Sequence, residues 1–347
     1  MSRPSTLPLL LFLALSGASC VPGARQGSLA GTPNGGPASG DELTFPDEAE
    51  ARSAPPASEE VLAAEQLLAE GRPREAEQRL EAIVRVSPGD LRAFLDLGLS
   101  REMQDDLEGA EEAYRGALQV DGTFSEALNN LGALLRDSGR VQEGVAMLRN
   151  AVRVRPGFAS AQLNLGLALE DAGDDEGAEA AYRAVIRLSP REPTSRTSLG
   201  LLLLRTSRRE QALLELRRAA PLAESRADLA AIGAGLRRAG DAAMAMRVLA
   251  EAVSADEAPA PPGLRAEIAL AEFAAGQRPQ AEQHLRALLT DMPSYASAHY
   301  LLANVLAARE AWREAAREYE AYLRAEPRGA DADEARGRRD YVRARSR

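Results

Sequence analysis

Residues 125–158 and 159–192 are consecutive segments of 34 residues that align without a gap. Leu131-Gly132 falls on Leu165-Gly166, Gly139 on Gly173, Leu148 on Tyr182, Ala151 on Val185 and Pro156 on Pro190. A fixed period of this length confines a chain to repeat architectures, in which each unit packs mainly against its neighbours.

Each unit reads as two helices and two turns. In residues 125–158, Ala127, Leu128, Leu131, Leu134 and Leu135 recur at helical spacing, and Asp137-Ser138-Gly139-Arg140 interrupts them. A second helix begins near Val141 and carries Val145, Leu148, Ala151, Val152 and Val154 on one face. It ends before Arg155-Pro156-Gly157, since proline cannot continue a helix. A glycine inside a helix costs about 1 kcal/mol relative to alanine, so its recurrence as Gly132 and Gly166 predicts a close approach of a neighbouring helix.

The register extends in both directions. The first-helix glycine recurs as Gly98, Gly132, Gly166, Gly200 and Gly233. A small residue opens the second helix at Ala76, Ala110, Gly144, Ala178, Ala212, Ala245, Ala281 and Ala315. Four positions later stand Leu80, Tyr114, Leu148, Tyr182, Leu216, Leu249, Leu285 and Tyr319. Eight units fit, near 57–90, 91–124, 125–158, 159–192, 193–225, 226–261, 262–295 and 296–329.

These columns resemble the tetratricopeptide repeat family, whose pattern is W-x2-L-G-x2-Y…A-x3-F…A…P. The resemblance covers roughly four fifths of the chain and implies an all-α, right-handed superhelical solenoid of about eight helix–turn–helix repeats over 58–329. Residues 330–347 then read as an arginine-rich capping helix or tail. The sequence departs from the pattern at Glu224 and Glu257, which replace the boundary proline, and at Ala269 and Ala303, which replace the glycine. An insertion over 254–262 is expected to bend or hinge the stack.

Residues 1–20 carry Arg3, an apolar run over 7–15, and the small residues Gly17, Ala18 and Ser19 before Cys20. The run is too short to span a membrane and suits an export signal. The arrangement resembles a bacterial lipoprotein signal, which implies diacylation of Cys20, although Gly17 stands where leucine is usual. The other reading is an ordinary signal cleaved near Ala18 or beyond, leaving a soluble periplasmic or secreted protein. Cys20 is the only cysteine in the chain, so no intramolecular disulfide competes for it. Two acyl chains suffice for stable anchoring, and Val21 in place of aspartate favours the outer membrane, facing the periplasm. Residues 21–57, rich in Gly, Pro, Ala and Ser, read as a disordered tether. As a flexible coil it would reach about 30–35 Å.

All 42 basic residues are arginine, and the net charge of −10 argues against nucleic acid as a partner. Arginines nevertheless cluster at Arg205, Arg208, Arg209, Arg217, Arg218 and Arg226, then at Arg237 and Arg238. They read either as solvated helix faces or as a patch for an acidic partner.

Little in the chain suggests catalysis. His284 and His299 have no metal-ligand spacing, and no cysteine can join them. Phosphate-binding glycine loops and the GxSxG elbow are absent from the sequence, and Ser207 and Ser225 have no paired base. The pairs Asp105-Asp106 and Asp174-Asp175 fall in turns, where helix N-termini favour negative charge. No enzyme activity, cofactor, metal or small-molecule substrate is expected.

Recognition remains. Just before the glycine the units carry Asp96, Asn130, Asn164 and Ser198, continuing as Ala231, Glu267 and Leu301. The resemblance places first helices on a concave face, and a carboxamide there can donate to and accept from a peptide unit without reading sequence. The alternative is that these amides bond a neighbouring helix. Arg136, Arg205 and Arg237 follow a few residues later and would add charge to the groove. Tyr114, Tyr182 and Tyr319 are expected to pack between helices, and Tyr295, Tyr300 and Trp312 either cover the last interface or form a docking spot. The sequence therefore predicts a non-catalytic scaffold that binds a peptide or protein subunit at a bacterial cell envelope, as in pilus, secretion or motility complexes. An adaptor for an envelope protease or peptidoglycan enzyme, or an enzyme subunit, are the competing readings.

Overall fold

The structure, a computed structural model, describes residues 57–255 and 259–346. Cys20, the export signal, the tether up to residue 56 and part of the 254–262 insertion lie outside the described residues. The described residues divide into two compact units, one ending at Pro190 and the other beginning at Arg191. Every regular element described is helical.

The first unit contains α1 (Glu59–Ala69), α2 (Pro73–Val86), α3 (Leu91–Glu102), α4 (Leu107–Val120), α5 (Ser125–Asp137), α6 (Val141–Val154), α7 (Ala159–Asp171) and α8 (Asp175–Leu188). The second contains α9 (Pro193–Arg205), α10 (Arg209–Ala219), α11 (Arg226–Ala239), α12 (Ala242–Ser254), α13 (Pro262–Ala274), α14 (Arg278–Asp291), α15 (Ala296–Ala308), α16 (Trp312–Ala325) and α17 (Ala332–Arg345). A short 3-10 turn, Ala220–Leu222, follows α10. Helices pair as antiparallel hairpins, and within each unit successive hairpins stack.

Local chemistry sets the helix starts. Asp106 and Asp174 accept hydrogen bonds from Gly109 N (3.0 Å) and Gly177 N (2.9 Å), satisfying donors that a helix N-terminus leaves free. One member of each acidic pair, Asp106 and Asp174, is thus a cap. Ser225 and Asp228 form a reciprocal capping box at α11.

The turn inside each hairpin needs one residue in the left-handed region. Gly139 and Gly173 take it with φ of 81° and 79°, but Asp105, Ser207 and Glu310 take it with side chains at 64°, 62° and 62°. An L-residue pays about 1–2 kcal/mol for that conformation. Glu310→Gly is therefore expected to raise stability by about 0.5–1 kcal/mol, after the extra chain entropy of glycine is subtracted. Thermal unfolding followed by circular dichroism checks this; a lowered midpoint would contradict it.

The glycine column has a specific partner. A Cβ on Gly132 would come within 2.6 Å of Leu148, one on Gly166 within 2.5 Å of Tyr182, and one on Gly233 within 2.6 Å of Leu249. Each glycine of this column thus receives the large side chain of the second helix in its own hairpin. Tyr114 and Tyr182 are fully buried, and Tyr319 is 1% exposed. In the last two hairpins Ala269 and Ala303, both buried, stand in the glycine column. The close approach expected from the glycines is a packing of side chain onto backbone.

Candidate functional site

In the first unit, polar side chains join α1 to α3 and α5 to α7. Arg92 on α3 donates to Glu65 on α1 at 2.7 Å. Arg136 on α5 donates to its neighbour Asp137 at 2.6 Å and stands 3.7 Å from Asp171 on α7. Asn164 Nδ2 on α7 donates to Asn129 Oδ1 on α5 at 2.9 Å. Asn129 Nδ2 in turn donates to Asn130 Oδ1 at 3.0 Å.

This relay continues inward. Asn130 hydrogen-bonds the Tyr114 hydroxyl, which donates to the Glu102 carboxylate. Five side chains from three hairpins are thereby linked, so the ladder amides do bond a neighbouring helix. An amide has four hydrogen-bonding sites, and the half-buried Asn130 and Asn164 retain capacity toward solvent. The periodic columns do not point to Asn129. It is 7% exposed, and the only hint is that it occupies a column held by leucine at Leu95 and Leu163.

Asp96 differs from its column-mates and corrects the expectation of a groove contact. It is 4% exposed, held under the surface beside Glu65 and Arg92. Burial, and then the negative charge of Glu65, pushes its carboxyl well above the usual range, while Arg92 opposes this. Burial likewise raises Glu102 to about 7, with Tyr114 working against the shift and Asp137 adding to it.

In the second unit, Ser198 is half-buried on α9. The clustered arginines turn out to serve separate contacts. Arg209 Nε donates to Ala239 O at the end of α11, and Arg226 Nε donates to Ala252 O (3.0 Å) near the end of α12. Arg217 pairs with Asp241 at 2.6 Å, and Arg237 pairs with Glu267 at 2.9 Å. Arg208 donates to Gln211, while Arg205 and Arg238 are exposed at helix ends. Guanidinium groups near helix C-termini satisfy free carbonyls and oppose the helix dipole, which accounts for much of the cluster without an acidic partner.

The histidines are engaged too. His284 Nδ1 lies 2.8 Å from Glu272. Both ring nitrogens of His299 face acceptors, Glu318 at 2.6 Å and Pro293 O at 3.0 Å, leaving neither for a metal or a substrate proton. Among the described residues no three His, Cys, Asp or Glu side chains are grouped to hold a metal, and no helix is long and apolar enough to cross a membrane. Trp312 packs edge-on against Tyr341 of α17, and Tyr300 lies between Tyr319 and Tyr322, so these aromatics cover the end of the unit.

Stacked helical hairpins with a polar first-helix face define a helical-repeat protein. The tetratricopeptide repeat profile matches residues 61–123, 129–193 and 267–330, more than half of the sequence, and the chain belongs to that family. Members typically bind protein partners. No curated protein matches the chain. Among solved structures, a tetratricopeptide repeat protein from Parabacteroides merdae is 18% identical over 73% of this chain and 98% of its own, with a TM-score of 0.53. PilW, described as a widely conserved type IV pilus biogenesis factor, is 20% identical over 57% of this chain and 94% of its own, with a TM-score of 0.51. The Cut9–Hcn1 assembly of APC/C is 15% identical over 81% of this chain and 55% of that one, with a TM-score of 0.55. Identities this low establish the shared fold alone.

Proposed function

We propose that this protein is a non-catalytic scaffold that binds an extended protein segment on its first-helix face. The observation that carries this is the pair Asn130 and Asn164, half-buried at equivalent places in adjacent hairpins and tied through Asn129. Pre-ordered amides lose little rotamer entropy on meeting a ligand backbone, which favours binding. Ser198 extends the column in sequence.

The export signal and Cys20 support a place at the bacterial cell envelope, lipid-anchored in the outer membrane and reaching the periplasm through the 21–57 tether. Fold likeness to a pilus biogenesis factor makes assembly of a pilus, secretion or motility complex the first process to examine. Mass spectrometry of the mature N-terminus tests the anchor: a diacylated Cys20 is expected, and an unmodified N-terminus beyond it would remove the lipoprotein assignment.

Binding is tested by Asn130→Ala with Asn164→Ala in the full chain. Recovery of a partner from detergent-solubilised envelopes is expected to fall at least tenfold. Because the pair also makes internal hydrogen bonds, a stability loss of about 1–2 kcal/mol is expected alongside it. Undiminished recovery by a folded double variant would refute the groove.

A further inference from the structure

Trp312 is the single tryptophan of the chain, and the fold sets it on the wall of a cavity of about 420 Å³. The cavity opens where the turn before α16 meets the end of α17, and Glu310, Arg313, Glu314, Arg317 and Arg345 also line it. Its volume is in the range of ligand sites. It belongs to the second unit, whereas the amide ladder belongs to the first.

Three guanidinium groups converge there. Arg313 and Arg317 stand four residues apart on α16 and so share a face. Arg317 Nε reaches back to Arg313 O at 3.4 Å, which leaves its two terminal nitrogens as donors. Arg345 comes from α17 and is held by aromatic rings, its guanidinium carbon 5.6 Å from the centre of Trp312 and 5.0 Å from that of Tyr341. A guanidinium held against rings keeps the N–H donors in its plane for an anion. Among the described residues no carboxylate pairs with any of the three, and all three are exposed while Trp312 is half-buried. Of the two carboxylates on the wall, Glu314 is already taken by Arg286 on α14 at 2.6 Å. The start of α16, which has no side-chain cap, adds the partial positive charge of a helix N-terminus.

We propose that this cavity binds a short acidic segment of a protein partner. Its carboxylates meet Arg313, Arg317 and Arg345, and a neighbouring apolar side chain packs on Trp312. This is a second binding site, and it does not depend on the amide ladder. A concave wall with a half-buried tryptophan suits a side chain that enters, whereas a lipid surface is met by an apolar face that protrudes. The net charge of −10 repels a long polyanion such as nucleic acid, but one or two carboxylates answer only to the local excess of arginine.

The probe is a peptide with both ends blocked, in which Asp-Leu-Glu is flanked by Gly and Ser; its counterpart carries Asn-Leu-Gln. Anisotropy of the fluorescein-labelled peptides against the full chain gives affinity. Emission from Trp312, titrated with the unlabelled peptides, reports whether this cavity is the one filled. The acidic peptide is expected to shift that emission and to bind at least about tenfold more tightly than its amide counterpart, since hydrogen bonds between charged groups are the strong ones. Arg313→Gln with Arg317→Gln should erase the preference, with circular dichroism confirming the fold. Arg324→Gln with Arg328→Gln removes the same charge from exposed positions of the same unit outside the cavity, and should change affinity less than about twofold. Equal loss in the two double variants would show diffuse attraction only and overturn the proposal. So would acidic and amide peptides that bind alike, or binding that leaves Trp312 emission unchanged. Inorganic phosphate that competes as strongly as the peptide would make this a small-anion site, and anionic vesicles that shift the emission where the peptide does not would make it a lipid contact; either refutes a peptide occupant.

Discussion

Tyr114→Ala is expected to destabilise the first unit by about 3–5 kcal/mol, as removal of a large buried aromatic does. The ring is fully buried between α3 and α4, and it lies so close to Gly98 that a Cβ there has no room. Its removal empties the space that the glycine column exists to provide. It also cuts the relay, since the Tyr114 hydroxyl donates to Glu102 and receives Asn130. Tyr114→Phe separates the two effects: it keeps the ring and is expected to cost about 1–3 kcal/mol for a buried carboxyl left without its donor. Urea unfolding, with hydrogen exchange resolved over α3 to α6, measures both variants. A loss below about 1 kcal/mol for the alanine variant would mean that the hairpin does not depend on this contact.

Raising the pH from 5 to 7.5 should weaken the same unit, and Glu102→Gln should remove much of the effect. Folded, Glu102 titrates at about 7, raised mainly by burial, against an ordinary glutamate value of 4.5. Between those values the folded state holds a proton that the unfolded state has released. Stability must therefore fall as pH rises through this window and level off above it. The expected loss is about 2–3 kcal/mol, the lower figure allowing for the solvent that reaches a half-buried carboxylate. Asp96, raised by burial and by Glu65, contributes in the same direction. Glu111 and Glu143, held low by arginine partners, titrate below this window and do not mask it. Stability that is level or rising from pH 5 to 7.5 would show that Glu102 is ionised without penalty in the folded protein.

How far the site was legible differs from residue to residue. The Asn130 and Asn164 column followed from the period alone. Asn129, Glu65 and Arg92 did not, because their importance comes from the partner that a neighbouring hairpin brings within 3 Å. Asp96 shares the column yet sinks under the surface, since Glu65 and Arg92 surround it and no equivalent pair surrounds Asn130. The arginine cluster of 205–238 looked like one patch in sequence, but its members cap different helices and pair with different acids.

By itself the sequence determined the repeat, the helix and turn positions, and the two columns of a first-helix glycine and a second-helix large residue. These are set by local periodicity, capping and the steric demands of proline and glycine, which act over a few residues. Only the tertiary structure decided which polar side chains meet across hairpins, which carboxylates are buried without compensation, and which amides still face solvent. Those outcomes depend on the spacing and rotation of neighbouring helices, a geometry that a 34-residue period fixes for the backbone but not for the side chains between them.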